Sequence, residues 1–167
     1  MLEVAKHFSD YEFVVAKAPG QEDAFYEPLL QPYSNVSSVR NETYKLLLQS
    51  KAALVTSGTA TLETALFEVP EVVCYKGSNI SYQIGRRLIR LKYICLVNLI
   101  MNKEVVKELI QNKLTPENIT IELNKILNGP STVERMKKDY ADLKYLLSQG
   151  GNASANAAKI IYDFTTN

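Results

Sequence analysis

The sequence holds one histidine, His7, and two cysteines, Cys74 and Cys95, in 167 residues. That inventory leaves no cluster with metal-ligand spacing, so no metal site is expected. A Ser/His/Asp arrangement could be assembled only through His7, close to the first residue, which makes it a poor basis for nucleophilic hydrolysis. Nor does either charge dominate. Lys+Arg number 19 against 18 Asp+Glu, a formal net charge of +1, and nothing points to nucleic acid. No apolar run approaches the roughly 20 residues needed to span a bilayer. Sequons at Asn35, Asn41, Asn79, Asn118 and Asn152 follow no recognisable secretory leader and are read as a product of Asn- and Ser-rich composition. Both cysteines fall in apolar stretches, which suits thiols packed in a core in a reducing compartment.

What remains is an ordinary globular composition. At 46% hydrophobic the chain can build a sizeable core, and one domain over 1–167 is expected, with a helical tail from about 115 to 167. The most informative stretch is 54–75. A short apolar run at 52–55 fits a buried strand, and Thr56-Ser57-Gly58-Thr59 then turns the chain. Leu62, Ala65 and Leu66 follow at helical spacing until Pro70, and Val72, Val73 and Tyr75 make another strand. This is a strand–turn–helix–strand unit of parallel α/β type.

The turn carries the chemistry. A helix N-terminus leaves backbone N–H groups unpaired and holds partial positive charge, a ready place for a phosphate. Ser57, Thr59 and Thr61 add hydroxyls, and Glu63 lies one turn in, where a carboxylate could accept both hydroxyls of a ribose diol. The competing reading is purely structural: Ser57 or Thr59 caps the helix and Glu63 favours its dipole.

Along the rest of the chain, 1–8 resembles the end of a helix. A strand is expected at 12–16, a helix at 21–30 weakened by Pro28, a short strand at 35–39, and a helix capped by Asn41. This alternation predicts a mostly parallel sheet covered on both faces. Because such a unit ordinarily opens with a strand, the chain is expected to be a fragment lacking at least one strand upstream. A helix is expected from Ser78 or Asn79 to about 91, with Arg86, Arg87, Arg90 and Lys92 at its end. These cations complement the helix dipole; the alternative is a basic surface resting on anionic lipid headgroups. A strand at 93–96 would leave Asn98 beyond its carboxyl end, where α/β sheets gather ligands, or serving as a turn residue. Helices are expected at 103–111, from Pro116, from a capping box at Ser131-Thr132-Val133-Glu134, and finally around Ala157, Ile160, Ile161 and Phe164.

Four blocks carry a resemblance across nearly the whole chain. They are Ser57-Gly58-Thr59-Ala60-Thr61-Leu62-Glu63 with Val69-Pro70 and Val72-Val73-Cys74-Tyr75-Lys76; Tyr93-Ile94-Cys95-Leu96-Val97-Asn98-Leu99-Ile100; Glu104-Val105-Val106-Lys107-Glu108-Leu109-Ile110-Gln111; and Gly151-Asn152-Ala153-Ser154-Ala155-Asn156-Ala157-Ala158. In this order they resemble the lipid-A-disaccharide synthase family. The resemblance implies the donor half of a GT-B fold, two Rossmann-like domains facing across a cleft. It implies an inverting, metal-independent glycosyltransferase that needs no cofactor. The activity implied is transfer from UDP-2,3-diacylglucosamine to the lipid acceptor 2,3-diacylglucosamine 1-phosphate, releasing UDP. On this resemblance Ser57, Gly58 and Thr59 would line the diphosphate, Glu63 would hold the ribose, and Asn98 and Glu104 would lie on the donor side. The catalytic base and a Gly-Ser-Arg phosphate loop would belong to the missing amino-terminal part, so none of this chain's residues is expected to be catalytic. A bacterial cytoplasmic location, peripheral at the membrane, also follows. Two departures stand out: Val97 replaces a common proline, and Met101-Asn102-Lys103 replaces Ala-Gly-Arg. Against this reading stand another UDP-sugar enzyme, an epimerase or soluble-acceptor transferase, and a non-enzymatic nucleotide-binding or membrane-surface module.

Overall fold

The computed structural model describes residues 1–56, 58–78 and 92–166. The strands are Phe13–Lys17 (β1), Val36–Arg40 (β2), Ala53–Thr56 (β3), Glu71–Tyr75 (β4) and Lys107–Ile110 (β5), with valine pairs at the centre of β1 and in β4 and more polar sequences in β2 and β5. Between and after them lie the helices Asp23–Leu30 (α1), Thr43–Gln49 (α2), Thr59–Leu66 (α3), Leu96–Met101 (α4), Pro116–Leu127 (α5), Pro130–Ser148 (α6) and Ala153–Thr166 (α7). All strand pairs among the described residues are parallel, as in an α/β Rossmann-like half. They form two small sheets, β1-β2 and β3-β4-β5, where alternation alone suggests one.

The middle strand shows why the fold is layered. Glu71 through Cys74 are all buried, and because successive side chains point to opposite faces, both faces of β4 are covered. Helix α3 packs on β3 and β4, while α5 packs on β4 and β5. Val72, Val73, Leu109, Ile119, Leu123, Tyr140 and Leu143 join in one core. A 3-10 helix, Leu2–His7, adds Val4 and Phe8 to it and packs on α5. Cys74 and Cys95 lie in the same core, and burial pushes their thiols up to about 11 and about 12.

Several expectations are corrected. Residues 93–96 are not a strand; Cys95 is the N-cap of α4. Residues 103–111 do not form one helix, because 107–110 pair with β4 as β5. Val105, Val106, Leu109 and Ile110 satisfy a helical stripe and a buried strand equally well, and the sheet edge decides between them. The capping box at 131–134 does not form. Pro130 starts α6 from Gly129, with no side-chain cap, and the Thr132 and Val133 N–H groups donate to the Gly129 carbonyl instead. Asn41 does not cap α2; it takes φ 59° ahead of Glu42 at the N-cap. Thr115 does cap α5, accepting from the Asn118 N–H at 3.2 Å. The apolar residues of α7 are exposed, Phe164 at 85%. The helix expected up to about 91 lies outside the described residues. Among the described residues, no helix is long and apolar enough to cross a membrane.

Candidate functional site

In a parallel sheet all carboxyl ends lie on one edge, and ligands gather there. For β3, β4 and β5 that edge carries the turn after Thr56, the segment Lys76-Gly77 after Tyr75, and Gln111 after Ile110. The turn is built by Gly58, the N-cap of α3, at φ 154°, ψ −163°. This backbone region is open essentially to glycine alone. A Cβ at Gly58 would meet nothing within 4 Å, so the requirement is conformational and leaves the approach to the backbone clear.

Among the described residues, no side chain caps α3. Thr59 occupies the first helical position and is exposed, so the capping role expected for it does not apply. The Thr61 N–H reaches the Gly58 carbonyl at 3.3 Å and its hydroxyl donates to the same oxygen at 2.8 Å. Thr61 is fully buried, and its hydroxyl fixes the turn from beneath. With the Thr61 N–H taken by Gly58, the Thr59 and Ala60 N–H groups are left at an exposed terminus, uncapped among the described residues, that holds partial positive charge. Half-buried Glu63 stands one turn further, its carboxylate accepting no hydrogen bond from the described residues. Ser57 lies outside those residues.

Two expected members are not at this edge. Asn98 is fully buried in α4 and its amide is committed. Its nitrogen donates to the Val106 carbonyl at 2.8 Å and to Glu108 at 3.0 Å, while its oxygen accepts the Val105 and Val106 N–H groups at 2.8 and 3.0 Å. Glu108 in turn accepts the Ile94 and Cys95 N–H groups, holding the start of α4 against β5. Glu104 precedes β5, at the amino edge, where its carboxylate pairs with Lys107 at 3.0 Å. The expectation for Asn98 rested in part on a strand at 93–96 that does not form, whereas that for Glu104 rested on the resemblance alone.

Gln111 and Gly77 were missed by sequence reasoning. Gln111, at φ 50°, donates its amide N–H to the Gly77 carbonyl at 3.1 Å and accepts the Gly77 N–H at 2.9 Å, tying the ends of β4 and β5 together. A residue with its left-handed backbone directly after a strand was the available signal, but only once 107–110 is known to be a strand. Exposed Lys76 adds a cation to this edge. Of the basic cluster, Arg86, Arg87 and Arg90 lie outside the described residues; Lys92 is exposed, 5.1 Å from the Tyr93 ring centroid. No group of metal-ligating side chains occurs among the described residues.

The family model for lipid-A-disaccharide synthetase matches residues 1–162. A lipid-A-disaccharide synthase from Geobacter sulfurreducens is 32% identical over 162 residues, 96% of this chain and 42% of its own length. The one from Syntrophus aciditrophicus is 42% identical over 122 residues, 73% of this chain and 32% of its own. That from Geobacter metallireducens is 33% identical across 98% of this chain and 44% of its own. The chain thus spans about two fifths of the length of the curated relatives it matches along nearly its whole extent.

Proposed function

Because the chain belongs to the lipid-A-disaccharide synthetase family, we propose that it is the donor-binding unit of a bacterial glycosyltransferase of lipid A biosynthesis. The donor is UDP-2,3-diacylglucosamine, and the lipid acceptor is 2,3-diacylglucosamine 1-phosphate. The observation that carries this reading is the exposed α3 terminus behind Gly58, with the Glu63 carboxylate one turn in, the terminus uncapped and the carboxylate without a partner among the described residues. Backbone N–H groups and the helix dipole hold the diphosphate, with Ser57 and Thr59 hydroxyls beside it. Lys76 supplies a nearby positive charge, and Glu63 accepts the ribose hydroxyls. No metal or cofactor is required in this scheme. Glycosyl transfer also needs an acceptor site, a general base and an enclosing second domain, which we assign to the part of the relatives' length that this chain does not match.

Isothermal titration of the 167-residue chain with UDP tests the reading. Saturable binding is expected, with no disaccharide formed when both lipid substrates are supplied. Absence of UDP binding would remove the assignment of the turn, and turnover by the chain alone would remove that of the missing base. In the same scheme the basic segment with Arg86, Arg87, Arg90 and Lys92 rests on the anionic inner face of the cytoplasmic membrane. Co-sedimentation with phosphatidylglycerol vesicles should then fall when the three arginines are replaced together by alanine, and unchanged co-sedimentation would return them to a helix-end role.

A further inference from the structure

Glu71 opens the middle strand β4 at the amino edge of the sheet, opposite the turn. It is 0% exposed, and neither carboxylate oxygen has a hydrogen-bond partner among the described residues. A buried polar group ordinarily finds a partner, so two orphan oxygens on one side chain mark a place where donors arrive from outside the fold. Glu71 lines a cleft of about 240 Å³ between β4, the segment leading into β5, and helices α5 and α6. The walls beside it are apolar, from Val72, Val106, Ile126 and Met136. The mouth is charged, but its charges are already matched. Glu104 pairs with Lys107 at 3.0 Å, Glu122 with Lys125 at 2.8 Å, and Arg135 lies 3.8 Å from Asp139. Their lysine and arginine side chains are 42–56% exposed, so the cleft opens to solvent.

We propose that this cleft binds a small primary alkylammonium ligand, its charged head against the Glu71 carboxylate and its stem along the apolar walls. An ammonium brings three donors and no acceptor, which is what two unpartnered carboxylate oxygens require. The cleft has room for a stem of a few carbons. A metal ion fits less well, because the described residues offer no cluster of three ligating side chains. Burial also holds the Glu71 carboxyl well above the ordinary 4.5 in the empty fold. None of the groups around it donates to it: Glu104, Lys107, Glu122, Lys125, Arg135, the Cys95 thiol, and the buried Tyr140 hydroxyl, itself without a partner among the described residues. The site is independent of the donor turn.

The test titrates the full chain with n-butylammonium chloride, following the Val72 and Val106 amide resonances, with n-butanol as the uncharged control. Saturable millimolar binding by the ammonium alone is expected, tightening as pH rises and Glu71 ionises. Glu71→Gln should weaken it at least tenfold and Glu71→Met abolish it. Glu71→Met should fold, since it removes an unpaired buried acid. Without ligand the wild type should lose stability as pH rises above 4.5 toward the raised folded value, since the unfolded carboxyl ionises first. The Met variant should lack that slope. Butanol binding as strongly as butylammonium, unchanged binding by Glu71→Met, or no saturable shift at all would each overturn the proposal.

Discussion

Asn98→Ala should lower the unfolding free energy by about 3–5 kcal/mol, near the upper limit for a single substitution. The wild-type amide serves the Val105 and Val106 N–H groups, the Val106 carbonyl and Glu108 at once. Alanine leaves all of these buried without it, and each orphaned polar group costs about 1–3 kcal/mol, partly recovered by relaxation. Asn98→Asp should be no milder. It keeps an acceptor for the two N–H groups but loses both donors and sets a second carboxylate against Glu108. Urea unfolding gives the midpoint shift, and UDP titration of the folded fraction gives the second readout. A merely structural Asn98 lowers the midpoint and leaves UDP affinity alone. A stable variant with lost UDP binding would instead place Asn98 on the ligand.

Glu63→Ala should weaken UDP binding by tenfold to a hundredfold. A hydrogen bond to a charged group contributes about 1.5–3 kcal/mol, and each 1.4 kcal/mol is a factor of about ten. The variant leaves Gly58 and the N-terminus of α3 untouched, so the drop reads the Glu63 carboxylate and not the turn. The sharper measurement compares UDP with 2′-deoxy-UDP. If Glu63 holds the diol, wild type prefers UDP and the variant does not distinguish the two. A variant that keeps the preference while losing thermal stability would reduce Glu63 to a dipole partner of the helix.

The unit from Ala53 to Tyr75 was legible because its signals are local. An apolar run, a glycine turn, a three–four periodicity and a proline after the helix each act within a few residues. The Pro116 helix and the buried Met136, Tyr140 and Leu143 face were legible for the same reason. The segment 93–111 was not. Its secondary structure is decided by what touches it from elsewhere: β4, which recruits 107–110 as a strand, and Glu108, whose carboxylate holds the N–H groups that start α4. Glu108, between Lys107 and Leu109, gives no sign in the sequence that it is buried until its partners are known. The site suffered accordingly. Gly58 and Thr59 lie at a carboxyl edge as expected, but the Thr61 hydroxyl is buried against Gly58; Asn98 was read from a strand that does not form, Glu104 from the resemblance alone, and Gln111 was overlooked.

The two buried thiols give the protein a pair of chemical clocks. With Cys74 held near 11 and Cys95 near 12, neither is a thiolate at pH 8, and neither is reachable by an alkylating reagent in the closed fold. Modification therefore waits for an opening event. Cys74, inside the middle strand, is released when the β3-β4-β5 sheet comes apart. Cys95, at the start of a six-residue helix pinned through Glu108, is released by the smaller loosening of that pin. Iodoacetamide labelling under native conditions thus times the amino-terminal anchoring of α4 and the opening of the sheet separately, in one reaction and without a probe being added to the chain.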